Sequence, residues 1–117
     1  MGEYQLGAAE EMFADLIWEN EPIGSMDLVR LCEKQLGWKK STTFTVLKRL
    51  SEKGFFKNEN SIVTSLISKE ELAELQGEKL VRERFDGSLP AFVAAFTRRK
   101  KLSKEEIAEI RRIIEEN

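Results

Sequence analysis

A mainly α-helical chain with one small β-hairpin is what these 117 residues predict. Three observations carry that reading. Apolar residues recur at helical spacing in several separate stretches. Each stretch is bounded by start and stop residues. One short interval, residues 55 to 66, is rich in β-formers and broken by a polar turn, FFKNENSIVTSL.

The first helix is expected from about Ala8 to Glu19, where Ala9, Met12, Phe13, Leu16 and Ile17 share a face, and Pro22 helps to stop it. Ile23 reads as a single strand residue. Ser25 is expected to cap the second helix, with Leu28, Val29 and Cys32 buried, Leu36 closing it and Gly37 supplying a left-handed end. The third helix follows Trp38, with Ser41 as its cap, Val46, Leu47 and Leu50 as its core face, and Gly54 as its end. Phe55 to Lys57 and Ser61 to Leu66 read as two strands joined by residues 58 to 61. Three helices and then a hairpin is the order of a winged helix-turn-helix.

Ser68 opens a new helical region through a capping box, with Glu71 three residues on, and this helix runs to about Phe85. Asp86-Gly87-Ser88 is a turn. A fifth helix, about Leu89 to Phe96, places Leu89, Phe92, Val93 and Phe96 on one stripe, with Pro90 in its first turn. A second capping box at Ser103 and Glu106 starts a sixth, carrying Ile107, Ile110, Ile113 and Ile114. The expected division is a winged-helix domain over 1–67 and a helical domain over 68–117. Three short amphipathic helices cannot easily bury all these large side chains alone. They pack either on the first domain or on a second copy of themselves.

Charge is unevenly spread. The whole chain is acidic, at −2. Residues 1 to 38 hold two basic and eight acidic side chains. Between Lys39 and Lys57, by contrast, Lys39, Lys40, Lys48, Arg49, Lys53 and Lys57 face only Glu52. Contacts to phosphate are short-range, so the local field decides polyanion binding rather than the total. A basic island in an acidic protein points to one surface built for a polyanion. The third helix also has the small polar residues that let a helix backbone approach base edges: Ser41, Thr42 and Thr45. Phe44 either touches thymine methyls or packs. Arg49 is long enough to reach a guanine or a phosphate.

Composition excludes other classes. There is no histidine, no Gly-rich phosphate loop and no Cys or His cluster, so neither enzyme chemistry, a cofactor nor a metal site is expected. The pairs Glu70/Glu71 and Glu105/Glu106 are adjacent on helices and do not face each other. Cys32 allows no internal disulfide and reads as a small buried hydrophobe. Trp18 and Trp38 read as packing residues. No apolar run reaches the roughly 20 residues that span a bilayer, and the N-terminal residues do not resemble an export signal, so the cytoplasm is the expected compartment. Arg98-Arg99-Lys100-Lys101 is either an exposed connector, a phosphate contact or a site for an acidic partner.

At the level of whole motifs the chain resembles the penicillinase-repressor group, also called the BlaI/MecI/CopY family. Glu10 and Trp18 match the spacing of that family's first helix, and Trp38 precedes the recognition helix. Thr42, Thr45, Leu47, Arg49, Leu50, Lys53 and Gly54 match its T-x-x-T-x-L-x-R-L-x-x-K-G pattern. FDGSLPAFVAAF and LSKEEIAEIRRIIEE resemble its C-terminal segments. The resemblance implies a dimeric, sequence-specific transcriptional repressor on a palindromic DNA operator, released by an inducing signal. It implies DNA contacts from Lys39, Lys40, Ser41, Thr42, Phe44, Thr45, Lys48 and Arg49. It also implies a homodimer face built from Leu72, Leu75, Leu80, Leu89, Phe92, Val93, Phe96, Ile107, Ile110 and Ile114. In the antibiotic-resistance branch a membrane sensor triggers proteolysis, and the matching bond here is Ala95–Phe96. The copper-responsive branch uses Cys-x-Cys motifs that this chain lacks. Four departures stand out. The hairpin is short and lacks the usual Gly-Arg and Tyr. Lys40 stands where Pro is frequent, Phe44 where a polar residue is usual, and Ala95 where antibiotic-responsive members carry Asn. Two rival readings remain: a winged-helix protein-interaction module, and a small-molecule-sensing regulator with a ligand between its helices.

Overall fold

The computed structural model describes residues 4–117. Among these residues the elements run α1 (Ala8–Asn20), β1 (Ile23–Gly24), α2 (Ser25–Leu36), α3 (Lys40–Glu52), β2 (Phe56–Glu59), β3 (Ile62–Ser65), α4 (Lys69–Arg84), α5 (Leu89–Arg99) and α6 (Lys104–Glu116). The sheet is antiparallel, in the order β1-β3-β2. Fold class is therefore as expected: mainly α, with a small antiparallel sheet compatible with a winged helix. The chain divides into two compact units, Met1–Gln76 and Gly77–Asn117.

The first unit holds the core. Phe13, Ala14 and Ile17 of α1 meet Leu28 and Cys32 of α2, and Val46, Leu47 and Leu50 of α3. Phe55, Phe56 and Val63 close it from the hairpin side. Period-3.6 spacing on the helices and period-2 alternation on β3 bring these residues to one centre. Trp38 stacks on Phe13 at 5.5 Å between ring centroids. Trp18 packs near Phe56 at 5.8 Å and donates its ring N–H to the Ile67 carbonyl at 3.0 Å. Both tryptophans thus serve packing. Cys32 is buried, and that burial pushes its thiol up from the ordinary value of 9.0.

Gly37 ends α2 at φ 69°, a conformation that costs a residue with Cβ. Its N–H reaches the Glu33 carbonyl at 3.1 Å, and the Trp38 N–H reaches that of Cys32 at 3.3 Å. This paired closure satisfies two of the carbonyls left open at the helix end. It also turns the chain sharply into α3.

Two expected caps are displaced, by one residue at α2 and by two at α3. Ser25 is the first residue of α2, and Gly24 precedes the helix. Gly24 is held in the sheet opposite Ile62, and the Ser25 N–H donates to the Ser61 carbonyl at 2.8 Å. Pairing with the hairpin, not a side-chain cap, starts that helix. Ser41 likewise lies inside α3: the cap position is Lys39, with no side-chain cap bond, and the Thr43 N–H donates to the Lys39 carbonyl at 3.1 Å. Both capping boxes are present, since Glu71 N–H donates to Ser68 Oγ and Glu106 N–H to Ser103 Oγ, each at 3.0 Å.

The start of α4 belongs with the first unit. Leu72 is 4% exposed and part of that core. Glu21 fastens the hairpin from the end of α1: its carboxylate accepts from the Ser65 N–H and hydroxyl, both at 2.8 Å.

The second unit is different in kind. Among its described residues no side chain is buried. Phe92 lies half-buried, edge-on to Phe85 at 5.4 Å and 6.2 Å from Phe96. Helix α5 continues three residues past the expected Phe96, to Arg99, because nothing after Phe96 breaks a helix. Its cap is the Ser88 hydroxyl, which accepts from the Ala91 N–H at 3.1 Å.

Candidate nucleic-acid interface

Helix α3 has one face committed to the core and the other to solvent. Thr43, Val46, Leu47 and Leu50 point inward. Lys39, Lys40, Ser41, Thr42, Thr45, Lys48 and Arg49 are all exposed. The outward stripe therefore carries two lysines and then small hydroxyl residues at the N-terminal end, with Lys48 and Arg49 two turns further along. This order suits a helix entering the major groove N-terminus first. Phe44 is half-buried against the core cluster, so its ring is used in packing. Lys39, Lys40 and Lys48 have no carboxylate within 4 Å among the described residues. Cations without an internal counter-charge are free to displace counterions from phosphate.

Arg49 differs. Its Nε donates to Glu10 Oε2 of α1 at 3.0 Å. Glu10 is only 18% exposed at its side chain and also accepts from the Gly7 N–H at 2.9 Å. The Gly7 N–H first, then the Arg49 guanidinium, hold the Glu10 carboxyl below its ordinary 4.5, with partial burial opposing them. Half-exposed Arg49 is thus tethered in place across 39 residues of sequence. Nothing in residue spacing alone marked Glu10 as the partner of Arg49; the helical repeat placed it only on the first helix. Lys53 is also drawn toward the N-terminal segment, with Nζ 3.5 Å from the Gln5 carbonyl.

The hairpin adds little positive charge. Strands β2 and β3 are joined tightly, with Asn60 at φ 53° and Ser61 at φ 62°. Two successive positive φ angles define a two-residue turn whose twist matches the strands. Lys57 lies 4.0 Å from Glu59. The tip carries Glu59 and no cation, so the basic surface of the first unit is centred on α3.

The candidate dimer residues fall into two groups. Leu72 is packed into the core of the first unit. Leu75 is half-buried. In the second unit Leu80, Leu89, Val93, Phe96, Ile107, Ile110, Ile113 and Ile114 are all exposed large hydrophobics, Leu89 at 55% and Ile114 at 63%. Val93, Leu102, Ile107, Ile110 and Ile114 line an apolar groove of about 290 Å³ between α5 and α6. The bond Ala95–Phe96 lies inside α5, Ala95 half-buried and Phe96 exposed.

Comparison with known proteins decides what this arrangement is. The model of the penicillinase repressor family matches residues 6–116. The chain belongs to the penicillinase repressor family. It is similar to the methicillin resistance regulatory protein MecI of Staphylococcus aureus strain Mu50, 26% identical over 115 residues, 95% of this chain and 94% of that one. MecI of Mammaliicoccus sciuri is 25% identical over the same shares. The penicillinase repressor of Bacillus licheniformis is 26% identical over 117 residues, 97% of this chain and 91% of that one. Members of the family are transcriptional repressors, not enzymes, and the winged-helix fold described above is compatible with that role. Among the described residues no group of acidic, Cys or His side chains is placed to hold a metal ion, and no helix is long and apolar enough to cross a membrane.

Proposed function

We propose that this penicillinase repressor acts as a homodimer on a palindromic duplex operator, each protomer reading one half-site with α3, until an inducing signal releases it. The winged helix, 1–67, binds DNA in this reading, and the helical region, 68–117, dimerises, with the first turns of α4 packed on the former. The work is done in the cytoplasm, where its DNA lies. The observation that carries the reading is the outward stripe of α3: the hydroxyls of Ser41, Thr42 and Thr45 flanked by Lys39, Lys40 and Lys48, which have no carboxylate within 4 Å among the described residues. Thr42 and Thr45 read base edges, with methyls toward thymine methyls and hydroxyls toward acceptors. Lys39, Lys40 and Lys48 contact phosphate and set orientation rather than sequence.

Release need not involve cutting. A protease requires an extended segment, and Ala95–Phe96 is helical, so cleavage there demands local unwinding of α5. A sensor-triggered protease is one partner that fits the family; an intact chain recovered from fully derepressed cells, weighed by mass spectrometry, would exclude it.

The test of DNA binding is an electrophoretic shift against the DNA flanking the chain's own gene, repeated at raised salt. Changing Lys39 and Lys40 to Ala should weaken binding to operator and random duplex alike. The slope of log affinity against log salt should become shallower by about one to two units. An unchanged slope would remove these lysines from the phosphate contacts, and no shifted band at low salt would remove DNA binding itself.

A further inference from the structure

The second unit carries a positive cluster that α3 does not explain. Arg98 and Arg99 end α5, Lys100 and Lys101 lie in the connector, and Lys104 opens α6. All five are exposed. From Gly87 to Lys104 the sequence contains no carboxylate. Three of the five other cations of this unit are paired: Lys79 with Glu83 at 3.3 Å, Arg82 with Glu78 at 3.3 Å, and Arg112 with Glu116 at 3.5 Å, while Arg84 and Arg111 stand singly on their helices without an ion pair among the described residues. Among the described residues none of the five has a carboxylate within 4 Å, although Lys100 is near enough to help lower Glu106, whose main cause is the Ser103 N–H.

Helix-end electrostatics account for only part of this. Arg98 and Arg99 lie at the negative end of α5, where a cation is favoured. Lys101 lies in no helix. Lys104 occupies the first turn of α6, where the helix field disfavours a cation. Five like charges within seven residues also repel one another. Such a cluster is stabilised by an external polyanion.

Chemistry favours a phosphate backbone over an acidic protein. Protein interfaces are anchored by buried aromatic or aliphatic side chains and are depleted in lysine. Three of these five residues are lysine, and the only apolar side chain in the run, Leu102, lines the groove between α5 and α6. Phosphate contact needs cations alone. We infer that residues 98–104 form a second, sequence-independent contact to duplex DNA phosphate, separate from the α3 surface and present twice in a dimer. This rests on the DNA-binding reading above and adds to it a contact that strengthens affinity without choosing sequence.

The experiment uses the full chain with Arg98, Arg99, Lys100 and Lys101 changed to Gln, titrated against the operator-flanking duplex and a random duplex of equal length over a range of salt. Affinity for both duplexes should fall by the same factor, roughly tenfold at physiological salt, and both salt slopes should become shallower by about two units. Discrimination between them should stay as in the wild type, and sedimentation should give the same mass. Unchanged slopes with wild-type binding intact overturn the inference alone and leave the run to an acidic protein. A wild type that binds neither duplex overturns both readings. A slope change accompanied by loss of the dimer overturns it too, since halved valency then explains the slope. The single change Lys101→Gln, in a connector residue with no side-chain partner among the described residues, should give the same direction with about half a unit of slope change, whatever the fate of the fourfold variant.

Discussion

Two residues on neighbouring helices show how a surface contact becomes a positioning device. Glu10 ties the start of α1 through the Gly7 N–H and ties α3 through Arg49. Its carboxyl titrates below the ordinary value in the folded chain and near that value when unfolded. The stabilisation is therefore full above about pH 4.5 and is lost as pH falls through the depressed value. Glu10→Gln keeps an acceptor for Gly7 and loses the charge. It should destabilise the chain by about 0.5–1 kcal/mol at neutral pH, in line with a partly exposed charged pair. Urea unfolding at a series of pH values checks this: the gap between variant and wild type should close in acid. A gap of constant size down to pH well below 4.5 would show that the charge is irrelevant. Thr45 tests the reading face instead. With its side chain exposed and no core role, Thr45→Ala should leave stability within about 0.5 kcal/mol. It should change the preference for operator over random duplex by about 1–3 kcal/mol. Equal discrimination by variant and wild type would make Thr45 a bystander.

Among the elements, the hairpin is where local strain is most visible. Its turn places Asn60 and Ser61 at positive φ. Asn tolerates that region, whereas Ser pays the Cβ clash that glycine lacks. Ser61→Gly should stabilise the chain by about 0.5 kcal/mol and raise its melting temperature by a few degrees. Its carbonyl would still receive the Ser25 N–H, so the link to α2 survives. A lower melting temperature would mean that the added freedom of the unfolded chain outweighs the relief of strain. This hairpin also marks what was legible in residue order. The strands and their polar connection could be read from composition, and the helix faces from spacing. The starts of α2 and α3 could not. Ser25 and Ser41 are good caps in isolation, but the sheet claims Gly24, and the stacking of Trp38 on Phe13 fixes the entry to α3. Both are tertiary effects, beyond the reach of a local signal. The outward stripe of α3 was legible because core and solvent faces alternate with the helical period. The Arg49–Glu10 link was not, because a charged pair between helices leaves no periodic trace. The packing of Leu72 against the first unit's core was not legible either, since its spacing is that of any amphipathic helix.

For the whole molecule, the two units contrast in how much they bury. The first unit buries a continuous core, and the second buries no described side chain while presenting isoleucines, leucine, valine and phenylalanine to solvent. So little burial in some 40 residues is what the proposed association would make good. An exposed apolar face of this extent is the mark of an association surface. A two-fold dimer through α5 and α6 is the simplest closed arrangement, because one self-complementary patch serves both copies. Ile110 sits in the groove between these helices. Ile110→Glu would place an unpaired carboxylate in that seam, at a cost of several kcal/mol once a partner removes its water. Sedimentation at micromolar concentration should give a dimer for the wild type and a monomer for Ile110→Glu. Binding to a full palindrome should then weaken at least a hundredfold, because the second half-site is no longer held at high effective concentration. Binding to an isolated half-site should hardly change, since α3 and its core belong to the other unit. A wild type that sediments only as a monomer yet binds the full palindrome tightly would overturn the dimer. Loss of half-site binding in Ile110→Glu would instead mean that the second unit supports the first directly, and that the two functions are not separable along the chain.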